Sequence, residues 1–151
     1  MKTNKLFALL AAVLLPLAVV SCGTDEPDEI LPDPTGELVG SFSIVNSYGS
    51  TFSMDAIKAG YEIAEGTVDI TLYEISFSPR MPMTLDMTIP GVKCSKVSGG
   101  YSLSADSITP TALGKPFPNY MVTGLSGSLT DTGLTLKMDI GGCPSTYSSG
   151  N

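Results

Sequence analysis

Across its 151 residues the chain carries 3 cysteines and no histidine, and these counts bound its chemistry. Without imidazole, Ser-His-Asp and Cys-His activation of a nucleophile are excluded, together with the commonest metal ligand. Cys94 and Cys143 have no CxxC spacing and no histidine to join them, so no ordinary zinc site can form. Calcium needs converging oxygen ligands; the carboxylates are instead spread about one per strand or loop, with no Asp-rich loop. Two carboxylates alone can hydrolyse a glycoside, but nothing in the spacing singles out a pair. Gly99-Gly100 and Gly141-Gly142 read as turns and not as a phosphate cradle. The expectation is a protein that is not an enzyme and uses no cofactor and no metal. From Glu37 onward there are 6 basic and 10 acidic residues, a net of −4. Neutralising phosphates takes clustered Lys and Arg, so no nucleic-acid partner is expected.

The chemistry that remains is that of thiols. Lys2 and Lys5 precede an uncharged run, Leu6 to Val20, which ends in Ser21-Cys22. At ~1.5 Å per residue this run spans about 22 Å as a helix, short of the roughly 30 Å hydrocarbon core. It therefore reads as a cleavable export signal. Val19-Val20-Ser21-Cys22 resembles the lipobox of bacterial lipoproteins. That resemblance implies diacylglycerol on the Cys22 thiol, cleavage before it, and acylation of the new amino group. Two or three acyl chains hold a protein firmly to a membrane where one does so marginally. The expected location is the outer membrane, on its periplasmic face or at the cell surface.

Residues 1–21 are thus the signal and 22–36 an acidic tether. Gly23 to Thr35 holds Asp25, Glu26, Asp28, Glu29 and Asp33, three prolines and no basic residue. It has too little apolar surface to offset its ordering entropy. Its reach from Cys22 to Glu37 is at most about 50 Å. The remainder, 37–151, is one domain of ordinary size. Outside the inner membrane disulfides are permitted, and the even pair Cys94 and Cys143 invites one. Such a bond would close a loop of about 50 residues and contribute roughly 2–4 kcal/mol; the alternative is two unpaired thiols.

From residue 37 the apolar period is two, broken by Gly, Pro, Ser and Asn. Met83 to Ile89 alternates cleanly and is stopped by Pro90-Gly91; Leu134 to Ile140 alternates up to Gly141-Gly142. Tyr101 to Asp106 and Val68 to Leu72 follow the same pattern. Parity changes at Tyr73, which predicts a β-bulge or bend before Ile75 and Phe77. Leu38–Val45, Thr51–Ile57, Val92–Val97 and Tyr120–Leu129 complete a count of about eight strands. Gly124 and Gly127 in the last of these suggest close strand approach or sharp coiling. Ala56 to Ala64 is open to a short helical turn, and Thr109 to Asn119, with three prolines, reads as a long loop.

Eight amphipathic strands bury their apolar faces in a sandwich or in a closed up-and-down barrel. The order of elements resembles the calycin-like, lipocalin-related β-barrel domain of bacterial lipoproteins. The residues that carry the resemblance are Val68–Leu72 leading into Ile75-Ser76-Phe77, Met83–Ile89 with Gly91-Val92, Tyr101-Ser102-Leu103, and the closing hairpin Gly124–Gly142. It implies an all-β, antiparallel eight-stranded barrel with room for an internal cavity, and it assigns no functional residue. The Gly-x-Trp of true lipocalins is missing, since the chain has no tryptophan. The two-residue period places Leu85, Met87, Leu103, Leu136 and Met138 inside, with Asp86, Ser102, Ser104, Lys137 and Asp139 outside. Two functions fit. One is a binding module holding a small apolar or amphipathic ligand in the barrel. The other is an accessory lipoprotein with a filled barrel that acts through protein partners. Interior volume separates them.

Overall fold

The alternation Leu134 to Ile140 becomes a strand whose Leu134, Leu136, Met138 and Ile140 are buried while Thr135, Lys137 and Asp139 are exposed. The same rule builds the rest of the sheet. A computed structural model describes residues 30–150. The signal segment 1–21, Cys22 and the start of the tether lie outside the described residues. The strands are β1 (Thr35–Val45), β2 (Thr51–Ala64), β3 (Thr67–Ile75), β4 (Leu85–Val97), β5 (Gly100–Ile108), β6 (Thr111–Ala112), β7 (Lys115–Pro116), β8 (Val122–Thr130), β9 (Leu134–Ile140) and β10 (Cys143–Ser149). All pairings are antiparallel. The ring runs β1-β2-β3-β4-β5-β8-β9-β10 and closes by pairing β10 with β1. It is an eight-stranded up-and-down barrel. Closure leaves it without the long open edges that would template aggregation.

The predicted bulge after Tyr73 is present. Register slips between Leu72 and Ile75 against β4, and Glu74 takes φ 52°. Its amide donates to Asp86 Oδ1 at 2.9 Å, which holds the kink. Several expectations are corrected. Pro90-Gly91 does not stop a strand. It forms a second bulge inside β4, with Gly91 at φ +66° and its amide bonded to Asp69 Oδ1 at 2.7 Å. Met83 lies before β4 and is exposed, so Met83–Ile89 and Val92–Val97 are one strand, Leu85–Val97. Ala56 to Ala64 is strand throughout, and Thr109–Asn119 contains the β6–β7 hairpin, which rests on β4 through Met87↔Ala112. The ordered chain also begins before Glu37: Pro32 is buried, and the Pro34 carbonyl accepts from the Ile63 amide at 2.6 Å.

Tyr147 is the largest fully buried side chain. Its hydroxyl points at the carbonyls of Leu38 and Ile57, each at 3.1 Å, and so ties β10 across β1 to β2. Burial pushes the phenol above its ordinary 10.0. The folded state therefore favours the neutral form. The stability this supplies is complete below the unfolded pKa and is lost as pH rises through the folded value. Tyr147→Phe is expected to cost about 1–2 kcal/mol at neutral pH, from the lost donor. It should also flatten the alkaline decline in stability above about pH 10. Urea midpoints for both proteins across that range check this; parallel alkaline declines would refute it.

Candidate functional site

The barrel interior is occupied by side chains. Leu85, Met87, Leu103, Leu136 and Met138 are 7%, 1%, 1%, 3% and 2% exposed. They belong to a buried cluster with Phe42, Ile70, Leu72, Ile89 and Tyr147, except for Leu85, which is buried beside it. Eight strands enclose a space just wide enough to be filled in this way. One end is capped by stacked rings, Phe77 on Tyr120 at 4.6 Å and Phe117 on Tyr120 at 5.6 Å.

Cys94 and Cys143 are separate free thiols, so the expected disulfide is not formed. The topology gives the reason. Cys94 lies three residues before the end of β4, near the β4–β5 turn; Cys143 opens β10, directly after the β9–β10 turn. In an up-and-down barrel with this strand order those turns lie at opposite ends, beyond the 7 Å or so that a bridge allows between Cα atoms. Burial pushes the Cys94 thiol up, which keeps it protonated and unreactive. Among the described residues no group of three or more His, Cys, Asp or Glu is placed to hold a metal ion.

The clefts lie outside. Three of them meet on the wall formed by β1 to β4 and the β6–β7 hairpin. The first, about 410 Å³, lies over Gly60 between Glu37, Glu62, Asp69 and Tyr73. The second, about 360 Å³, shares Tyr73 and adds Ala56 and Lys58. The third, about 590 Å³, shares Glu74 and Asp86 with the second and Thr88 with the first, and ends on Leu113. Through these shared residues they form one track of mixed polar and apolar lining. Tyr73 lies across Gly60, where an added Cβ would come within 3.1 Å of its ring. Lys58 Nζ sits 3.2 Å from Glu37 Oε2 and 5.8 Å from the Tyr73 ring centre. Glu62 and Asp69 face each other directly across the β2–β3 ladder, a like-charge pair that costs stability when nothing bridges it.

Of these residues the sequence marks only Tyr73, where the strand parity changes and which is one of six tyrosines able to stack on a sugar, and Asp86, on the outward face. They occupy the outward parity of their strands, where charged and hydroxyl side chains are ordinary. Comparison with protein-family models, with curated proteins and with solved structures finds no match.

Proposed function

We propose that this chain is a membrane-anchored extracytoplasmic lipoprotein, held through lipid on Cys22. Its calycin-like barrel is a non-enzymatic accessory module that engages partners with its outer surface. The filled interior carries this reading: Met87, Leu103, Leu136 and Met138 occupy the space that a carried ligand would need. A drug-sized ligand asks for roughly 300 Å³ of largely apolar, enclosed cavity. The clefts described above are open and lie on the outer walls. The anchor rests on the uncharged run ending in Val19-Val20-Ser21-Cys22 and on the acidic spacer behind it.

Native and intact mass spectrometry of the protein purified from the bacterial envelope tests both halves. The expected spectrum shows a lipid adduct that disappears in Cys22→Ser, and no second small molecule held in stoichiometric amount. An adduct that survives Cys22→Ser would overturn the anchor. A co-purified apolar molecule at one per chain would overturn the filled-barrel reading in favour of a carrier.

A further inference from the structure

We propose that the track on the β1–β4 wall is a binding site for a neutral oligosaccharide chain, centred on Tyr73. The proposal rests on the reading that this barrel works from its outside. Its first support is shape. The three clefts join through Tyr73, Glu74, Asp86 and Thr88, whereas the cleft between β4 and β5 and the cleft over β8 to β10 share no residue with them. The track runs across β1 to β4, three strand spacings of ~4.8 Å, about the length of a few linked sugar rings.

The backbone shapes the same wall. Among the described residues only Ala56, Glu74 and Leu113 hold a positive φ without being glycine, at 58°, 52° and 53°. All three line this track, Ala56 in the second cleft, Leu113 in the third and Glu74 in both. Glu74 and Ala56 sit at bulges of β3 and β2 and Leu113 in the two-residue turn of the β6–β7 hairpin, so the three mark where this wall bends to form the clefts.

Side-chain chemistry selects the ligand. Sugars offer two surfaces, a face of C–H groups that packs on an aromatic ring and an edge of vicinal hydroxyls that donate to carboxylates. Tyr73 supplies a half-buried ring spread along the wall over Gly60. Glu62, Asp69 and Asp86 supply exposed acceptors around it. Thr71 and Thr88, their hydroxyls 2.9 Å apart, floor the track with groups that both donate and accept. A hydroxyl edge lying between Glu62 and Asp69 would donate to both and relieve their repulsion. A basic peptide would use the carboxylates and leave the threonine floor without a role. The ammonium nearest the ring is the chain's own Lys58, already paired with Glu37.

The test is saturation-transfer NMR on the full-length protein in detergent, with cello-, chito-, manno- and malto-oligosaccharides as probes and oligolysine as the cationic alternative. At least one oligosaccharide should bind, with a Kd of about 1 mM or tighter. Tyr73→Leu, which keeps apolar cover on Gly60, and Asp86→Asn should each weaken binding about tenfold while circular dichroism stays native. Ser126→Ala on β8, across the barrel, should leave it unchanged. Absence of transfer to every oligosaccharide would overturn the proposal. So would binding indifferent to Tyr73→Leu in a folded protein, or binding of oligolysine alone. None of these outcomes bears on the occupant of the interior, which mass spectrometry reads separately.

Discussion

Leu136→Asp is expected to leave the protein largely unfolded at neutral pH, while Lys137→Asp, one residue along β9, shifts stability by less than about 0.5 kcal/mol. Leu136 is buried, paired with Gly127 on one side and Tyr147 on the other. Removing the leucine side chain alone costs about 2–5 kcal/mol. A carboxylate in its place loses its water without gaining a partner, for several more, about 3 kcal/mol or above. The sum reaches the ~5–15 kcal/mol that a domain of this size has in total. Lys137 faces water between Ser126 and Thr146, where a change of charge meets solvent screening. Urea denaturation reads both variants. Acid adds a signature: burial raises the folded-state pKa of the introduced carboxyl above its unfolded value near ~3.9, so stability returns as pH falls and is lost as pH rises through the folded pKa. If Leu136→Asp were as stable as the parent protein, the interior would be wet and the filled barrel wrong. If Lys137→Asp were the more damaging, the inward and outward faces would be reversed.

That contrast was legible in the sequence because β9 is amphipathic with no exceptions. β10 was not. Its inward positions are Ser145, Tyr147 and Ser149, so a count of apolar residues passes over it. Burial of these serines is tolerated because Ser145 Oγ donates to the Cys143 carbonyl at 2.9 Å and Ser149 Oγ accepts from the Leu134 amide at 3.0 Å. The expected total of about eight barrel strands agrees with the structure through two compensating errors. The apolar pattern divides β4 at Pro90-Gly91 and omits β10. A proline followed by a glycine ends most strands; here the Asp69 carboxylate satisfies the Gly91 amide and lets the strand continue. The disulfide expectation failed for a different reason. Pairing an even number of cysteines takes no account of which end of the barrel each one occupies, and that depends on counting the strands between them. The outer track is not legible because Tyr73, though marked by its parity change, is an ordinary strand residue, and Glu62 and Asp69 have the composition of any solvated face. Positive φ at Ala56 and Leu113 has no signature in residue type, since glycine or asparagine is what such a conformation favours.

Gly127→Val should be nearly as damaging as Leu136→Asp, and Gly127→Ala should be almost as bad as Gly127→Val. Pairing across the ladders sets one layer of the barrel: Cys94, Leu103, Gly127, Leu136, Tyr147 and Phe42 follow one another from β4 round to β1. Four large side chains share that layer, and the glycine is the gap that lets them meet. A Cβ at this position would fall inside the Thr135 carbonyl oxygen and within 3.2 Å of Leu136 Cδ2. The obstacle is backbone, which cannot rotate away as a side-chain tip can. β8 and β9 would have to separate at the pairs Gly127↔Leu136 and Ser128↔Thr135, just beyond the slip already present between Thr123 and Ser126. Overpacking of a tight core costs about 1–3 kcal/mol, and forced parting of a ladder adds to it, for an expected loss of about 3 kcal/mol or more in both variants. Because the first carbon does most of the damage, the alanine variant separates this account from a simple shortage of volume, under which alanine would be tolerated and valine would not. Ser126→Ala, the exposed neighbour, should stay within about 0.5 kcal/mol and serves as the reference. Urea midpoints for the three variants decide between the two accounts. A mild Gly127→Ala would mean that β8 and β9 do not approach as closely as the barrel requires, and the layered packing that fills the interior would have to be redrawn.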